Sequence, residues 1–285
     1  MDKTYWNKET ENSWCPGCGN FSIRDMVMKA YTELGLTKDE IIMVSGIGQA
    51  AKAPQYYDVD YFNGLHGRAL PAALGIHVAN PEMKIVVQSG DGDIYGEGGN
   101  HFIHAIRRNP DMTVLVHDNM IYGLTKGQAA PTSQKGMKTP IQTDGVFLEP
   151  INPIALAITM GATFVARGSV THPELTKDLI KQAIQHPGFA IVDIFQTCVS
   201  FNKLNTFSWF KSNAEQLPSG YDPSDKIKAL EAAMHTKPWH LGLFYKESGR
   251  PVFAEHLATW QQNPTALYKQ ERPFSVVKDL MENFV

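Results

Sequence analysis

The chain has 285 residues, with 26 Lys or Arg against 29 Asp or Glu and a formal charge of −3. That balance argues against a surface for nucleic acid or an anionic membrane, while 43% hydrophobic residues suffice to bury a full core. No apolar run approaches the ~18–20 residues that span a bilayer, and no basic-then-apolar leader is visible, so a cytoplasmic protein is expected.

Three cysteines, Cys15, Cys18 and Cys198, form an odd set, which argues against a disulfide framework. Two of them form Cys-x-x-Cys, a spacing suited to a metal, a cluster or redox chemistry. In chain order, apolar spacing then predicts a helix over 23–36, a strand over 41–44, a helix over 70–78 and a strand over 84–88. A helix over 101–106 and a strand over 112–116 follow. Beyond them come a helix over 153–160, an extended stretch over 163–166, a helix over 174–184 and a strand over 189–195. The alternation predicts an α/β fold with a mostly parallel sheet covered on both faces. Past residue 203 the pattern weakens to a helix over 225–234 and a strand over 241–245. The expected organisation is one ligand-binding domain over 1–210 and a C-terminal extension over 211–285.

Glycine-rich turns fall at the carboxyl ends of the predicted strands, where open α/β sheets bind ligands. Gly90-Asp91-Gly92 ends one of them, and Asn119 stands at the end of the next. The Asp91 carboxylate, the Asn119 amide oxygen and the Ile121 carbonyl are hard donors of the kind Mg²⁺ takes. Glycines beside them let backbone N–H groups approach a phosphate. A lone Gly-Asp-Gly is often just a turn, but Asn119 one strand–helix unit downstream matches the pattern of thiamine-diphosphate enzymes.

Further segments narrow the resemblance. Trp14-Cys15-Pro16-Gly17-Cys18-Gly19-Asn20 resembles the cluster loop of 2-oxoacid:ferredoxin oxidoreductase β subunits. The same family is matched by Ser45-Gly46-Ile47-Gly48, by Leu65-His66-Gly67-Arg68 and by Ile121-Tyr122-Gly123-Leu124-Thr125-Lys126-Gly127-Gln128. Cys198-Val199-Ser200-Phe201-Asn202 completes the series, in the family's order. The likeness implies a doubly wound sheet of the thiamine-diphosphate-binding type. It also implies Mg²⁺ on Asp91, Asn119 and Ile121, and diphosphate-binding turns at Gly92, Asp93, Gly123, Leu124 and Thr125. Ile47, Gly48, His66, Gly67 and Arg68 would line the cofactor, Lys52 would face the substrate carboxylate, and Leu124 would form a pocket wall. Catalytic roles therefore fall to His66, Lys52 and Leu124. Cys15, Cys18 and Cys198 would hold an iron–sulfur cluster. The implied reaction is coenzyme A-dependent oxidative decarboxylation of 2-oxoglutarate or pyruvate, with electrons passed to ferredoxin. The expected assembly is a heterodimer with an α subunit, or its α₂β₂ form, because the family's activating glutamate lies in α.

The chain departs from this pattern at Gln49, where the family carries its fourth cluster cysteine. Three cysteines suit a three-iron cluster, a four-iron cluster with a non-thiolate ligand, or none. Two alternatives stay open: a non-oxidative thiamine-diphosphate decarboxylase or ligase without a cluster, and a zinc-stabilised structural subunit. Apart from the resemblance, His66 reads equally well as a core histidine and Lys52 as a surface lysine. His101 and His104 read as structural, and Arg107 and Arg108 as cations at a helix end.

Overall fold

The N-terminal cysteine loop runs straight into a long helix, and the chain then alternates between sheet and helix. A computed structural model describes residues 3–263, 265–271 and 273–284. α1 (Gly19–Glu33) precedes β1 (Ile41–Ser45), a 3₁₀ segment (Ala50–Tyr56) and the edge strand β2 (Asp60–Asn63). α2 (Ala69–Ala79), β3 (Lys84–Gly90), a π-type turn (Gly92–Glu97), α3 (Gly99–Arg108) and β4 (Met112–Asp118) follow. A two-stranded ribbon, β5 (Ile121–Tyr122) and β6 (Gln128–Ala129), opens a long loop. The chain returns through α4 (Pro153–Met160), β7 (Phe164–Ser169), α5 (Pro173–Gln185) and β8 (Phe189–Phe195). It ends with α6 (Phe207–Asn213), β9 (Ala214–Gln216), α7 (Lys226–Met234), β10 (Trp239–Lys246), α8 (Ala258–Gln262) and α9 (Phe274–Glu282).

Eight strands form one sheet in the order β2-β1-β3-β4-β8-β7-β10-β9, parallel throughout except where β10 runs antiparallel to β7. Alternate residues of the central strands feed two cores, as the period of two along a strand requires. Met43, Val86, Leu115 and Val192 pack with Ile23 and Val27 of α1 and Leu179 and Ile180 of α5. Val44, Val87, Val114 and Ile191 pack with residues of α2, α3, α4 and α7 on the opposite face. The sheet is therefore doubly wound, as expected, and β4 and β8 are buried along their whole length.

Three features depart from the sequence expectation. α1 begins at Gly19, before its apolar stripe, because the Gly19 amide donates to the Thr197 carbonyl at 3.1 Å and seats the first turn against the end of β8. β2 is exposed throughout and carries no apolar alternation; it exists because β1 offers it an edge to pair with. Residues 214–246 supply β9, β10 and α7 to the same sheet and core as the first 210 residues.

Candidate active site

β1 and β3 are neighbours, yet β1 leads out to β2 on one side and β3 to β4 on the other. The loops leaving their carboxyl ends therefore diverge and open a crevice, the place where such sheets take ligands. Gly46-Ile47-Gly48 enters it from β1 and 91–97 from β3. One carboxylate clips these loops together. Asp93 Oδ1 accepts the amide N–H of Ile47 at 2.9 Å and of Gly67 at 2.8 Å, and Oδ2 accepts the Ser89 hydroxyl at 2.8 Å. A Cβ at Gly46 would lie 2.1 Å from Asp93 Oδ2, so only glycine fits there. With both oxygens engaged by protein donors, Asp93 shapes the turn. His66 Nδ1 lies between two carboxylates, 3.5 Å from Asp93 Oδ1 and 3.3 Å from Glu97 Oε2. Glu97 Oε2 also accepts the Tyr122 hydroxyl at 2.9 Å. The Tyr122 ring lies over the turn, and a Cβ at Gly92 would come within 2.2 Å of it.

Asp91 is buried at the mouth of β3, and its Oδ2 accepts the Thr132 hydroxyl at 2.5 Å. Burial pushes its carboxyl up to about 7; the Thr132 bond opposes this and the Asp193 charge adds to it. Asp118 and Asp193 are also raised, first by burial; the Asp193 and Asp91 charges add to the shift at Asp118, while Arg167 opposes it at both. Arg167 pairs with one of them, its Nε 3.2 Å from Asp193 Oδ2. Tyr95 donates to the other Asp193 oxygen at 2.9 Å. A divalent cation beside Asp91 would favour its ionised carboxylate against this burial. The second donor is in place: Asn119 Oδ1 accepts the Ile121 N–H at 3.0 Å and keeps another lone pair. The residues fit a hard cation.

The next segment continues the crevice. Gly123, Leu124 and Thr125 form the tip of the β5–β6 ribbon, with the Thr125 hydroxyl bonded to Gln128 Oε1 at 2.6 Å. Ile47 and Leu124 leave apolar side chains partly exposed at the opening. Arg68, on the helix-entry loop, is paired with His101, which gives that histidine a partner in the site's surroundings. Lys52 sits on the 3₁₀ segment just past Gln49, its Nζ 3.2 Å from the Ser13 hydroxyl.

A second cavity lies directly behind Asn119. Cys15, Cys18 and Cys198 all line it, together with Gln49, Asn119, Gly123 and Gln196. Burial pushes the Cys18 thiol up to about 11; the Asn20 amide opposes this, and the neighbouring Cys198 and Cys15 add to it. Donors already point at the sulfurs, with Ser200 Oγ 3.1 Å from Cys15 Sγ and Gln196 Nε2 3.4 Å from Cys18 Sγ. Among the described residues, no three His, Cys, Asp or Glu side chains are grouped to hold a single metal ion. A cluster asks for a wider arrangement, since each thiolate binds a separate iron. Thiols gathered around one cavity and supplied with hydrogen-bond donors fit such a group. Behind the cavity, His117 Nδ1 pairs with Asn20 Oδ1 at 2.7 Å and its Nε2 with Gln88 Nε2 at 2.8 Å. Full burial drives its pKa down to about 3, so the ring is neutral.

The family described as "Thiamine pyrophosphate enzyme, C-terminal TPP binding domain" matches residues 43–194. Residues 198–262 match the C-terminal family of the "Pyruvate ferredoxin oxidoreductase beta subunit". A 2-oxoacid:ferredoxin oxidoreductase 1 subunit beta from Aeropyrum pernix is 39% identical over 91% of this chain and 85% of its own length. The chain belongs to the β subunits of 2-oxoacid:ferredoxin oxidoreductases. A 2-oxoglutarate synthase subunit KorB from Archaeoglobus fulgidus is 37% identical, covering 82% of this β subunit and 84% of the relative. In three dimensions the β subunit matches a 2-oxoglutarate:ferredoxin oxidoreductase from Magnetococcus marinus with 2-oxoglutarate, coenzyme A and succinyl-CoA bound. The TM-score is 0.90 at 37% identity, over 97% of this chain and 95% of that one.

Sequence reasoning missed several residues that build the β subunit's site. Thr132, the partner of Asp91, lies in a long loop without periodicity. Glu97 stands five residues past Gly92 but faces His66 only because the π-type turn carries it round. The Arg167–Asp193 pair comes from β7 and β8, which read simply as core strands. No local signal marks any of the three.

Proposed function

We propose that this β subunit binds Mg²⁺ and thiamine diphosphate in the crevice and an iron–sulfur cluster in the cysteine cavity. With an α subunit it would carry out coenzyme A-dependent oxidative decarboxylation of 2-oxoglutarate or pyruvate, delivering electrons to ferredoxin. The observation that carries this reading is a shared wall. Asn119 and Gly123 line the cysteine cavity, and the same segment supplies the hard donor and the ribbon tip of the crevice. Asn119 and Gly123 would thus stand between thiamine diphosphate and the cluster. The free thiols also suit a reducing cytoplasm, and among the described residues no helix is long and apolar enough to cross a membrane.

Asp91, Asn119 and the Ile121 carbonyl would hold the Mg²⁺, while Gly92, Gly123, Leu124 and Thr125 present backbone to the diphosphate. Ile47, Gly48, His66, Gly67 and Arg68 line the rest of the crevice. Thiamine diphosphate, when bound, supplies the electron sink that lets a 2-oxoacid lose carbon dioxide. The chain's own residues do the positioning. Asp93 holds the Ile47 and Gly67 loops at a fixed separation, and the ribbon tip with Leu124 covers the opening against water. His66 faces Glu97 across the crevice, its Nδ1 3.3 Å from Oε2. Asp91→Asn keeps the shape but removes charge from the cation site. It should weaken Mg²⁺-dependent thiamine diphosphate binding at least about tenfold, on the order of 1.4 kcal/mol, read by calorimetric titration. Unchanged binding would place the cofactor elsewhere.

Lys52 would meet the substrate carboxylate at the rim. A charged hydrogen bond of about 1.5–3 kcal/mol corresponds to roughly tenfold or more in the KM for 2-oxoglutarate. Lys52→Ala should show that rise in steady-state assays and spare pyruvate, which has no second carboxylate. An equal, small effect on both acids would remove Lys52 from substrate recognition.

A further inference from the structure

Three thiols can ligate at most three irons of a cubane, so a four-iron cluster in this cavity needs one more donor from elsewhere. Two residues that line the cavity carry a buried amide oxygen without any hydrogen-bond partner, Gln49 Oε1 and Gln196 Oε1. They are not equivalent. The Gln196 amide is tied down through its nitrogen, which donates to the Thr197 carbonyl at 2.6 Å and points at Cys18 Sγ. That amide belongs to the donor set around a thiolate. Gln49 is anchored through its backbone instead, its carbonyl accepting the Trp14 indole N–H at 2.6 Å, so its side chain is not needed to hold the segment. Trp14 adjoins Cys15, which ties the Gln49 backbone to the cysteine loop. On the far side, a Cβ placed on Gly123 would touch both Gln49 Cγ at 3.9 Å and Cys198 Sγ at 3.8 Å. The Gln49 side chain and the Cys198 thiol therefore converge over the same glycine.

We propose that Gln49 Oε1 is the fourth ligand of a four-iron cluster held by Cys15, Cys18 and Cys198. This deepens the cluster reading given above and rests on it. A carboxamide oxygen donates a lone pair without giving up a proton, and it is neutral and harder than sulfur. The iron it holds is thus the exchangeable one. Oxidation by one equivalent of ferricyanide removes one electron from the four-iron cluster and releases that iron as a ferrous ion, leaving a three-iron cluster on the thiolates. Ferrous ion and a one-electron reductant reverse the step. With one anionic ligand fewer, the cluster also carries less negative charge than an all-thiolate one, which raises its potential.

The test uses the complete complex with its partner subunit, purified anaerobically, with iron and sulfide assays and electron paramagnetic resonance. Wild type should convert to the three-iron signal on ferricyanide and recover when ferrous ion and dithionite are added. Gln49→Cys should abolish the conversion and lower the midpoint potential, and Gln49→Ala should raise the ferrous concentration needed for recovery about tenfold. Gln196→Ala should leave that concentration unchanged. Conversion and recovery that are the same in wild type, Gln49→Cys and Gln49→Ala would overturn the ligand assignment while leaving the cluster. A dependence on Gln196 in place of Gln49 would overturn it as well. Wild type without iron or sulfide would overturn both the ligand and the cluster on which it rests.

Discussion

At the level of single residues, the site is organised by side chains that bond one segment of the chain to another. Asp93 spends both oxygens on the Ile47 and Gly67 amides and the Ser89 hydroxyl, and so fixes three separate segments with one side chain. Removing it leaves two N–H groups and a hydroxyl without their acceptor. Asp93→Ala should therefore cost about 2–4 kcal/mol in urea unfolding, since bonds to a charged acceptor are worth ~1.5–3 kcal/mol each and share their losses. Thiamine diphosphate affinity should fall in the same variant. A variant as stable as wild type would mean that the loops hold themselves. Tyr122 acts in a comparable way, covering Gly92 with its ring while burial and the Glu97 carboxylate keep its hydroxyl protonated far above neutral pH. The glycine after Asp91 is needed for that close approach of an aromatic ring.

At the level of elements, the helices that cover the sheet carry buried histidines whose protonation the fold resists. His77, in the last turn of α2, has neither ring nitrogen bonded, and His186, after α5, bonds Thr163 through Nε2 only. Burial lowers both to about 4, against an ordinary value of 6.5. The unfolded chain therefore binds protons that the folded one refuses. Their contribution is complete above about pH 6.5 and is lost progressively as the pH falls towards 4. Each would forfeit on the order of 2 kcal/mol by pH 5, at about 1.36 kcal/mol per pH unit. His77→Leu removes one such group without breaking a hydrogen bond. Melting curves from pH 8 to 5 should fall less steeply for the variant than for wild type, and parallel curves would mean that His77 takes up no proton on unfolding.

At the level of the whole molecule, the crevice mouth and the C-terminus leave large apolar side chains in water. Leu65, Phe147 and Leu148 are 75%, 79% and 64% exposed around the crevice, and Phe274 of α9 is 78% exposed. α9 has no buried residue at all. Apolar exposure of this kind marks a surface that another chain covers. The purified β subunit alone should show no turnover of 2-oxoacids, and addition of the α subunit should restore it with formation of a defined complex in sedimentation. Full turnover by the isolated chain would refute the division of the site between subunits.

Much of this was legible in the sequence because it depends on local rules. Strand–helix alternation follows from apolar spacing, so the doubly wound sheet could be read from the chain, and Gly90-Asp91-Gly92 with Asn119 could be placed at strand ends. The family likeness rested on short motifs in order. What only the tertiary structure decided involves residues far apart in sequence. β2 and β9 are strands because neighbouring edges accept them. Thr132 meets Asp91 across 41 positions, and Glu97 meets His66 across a turn of unusual winding. The raised carboxyl pKa values of Asp91, Asp118 and Asp193 arise because three parallel strands run side by side and exclude water. Gln49 gains its significance in the same way. In the sequence it is a missing thiol; in the fold it lines one cavity with three thiols and carries a buried, unpartnered oxygen, because the loop after β1 ends where the cysteine loop and the end of β8 meet.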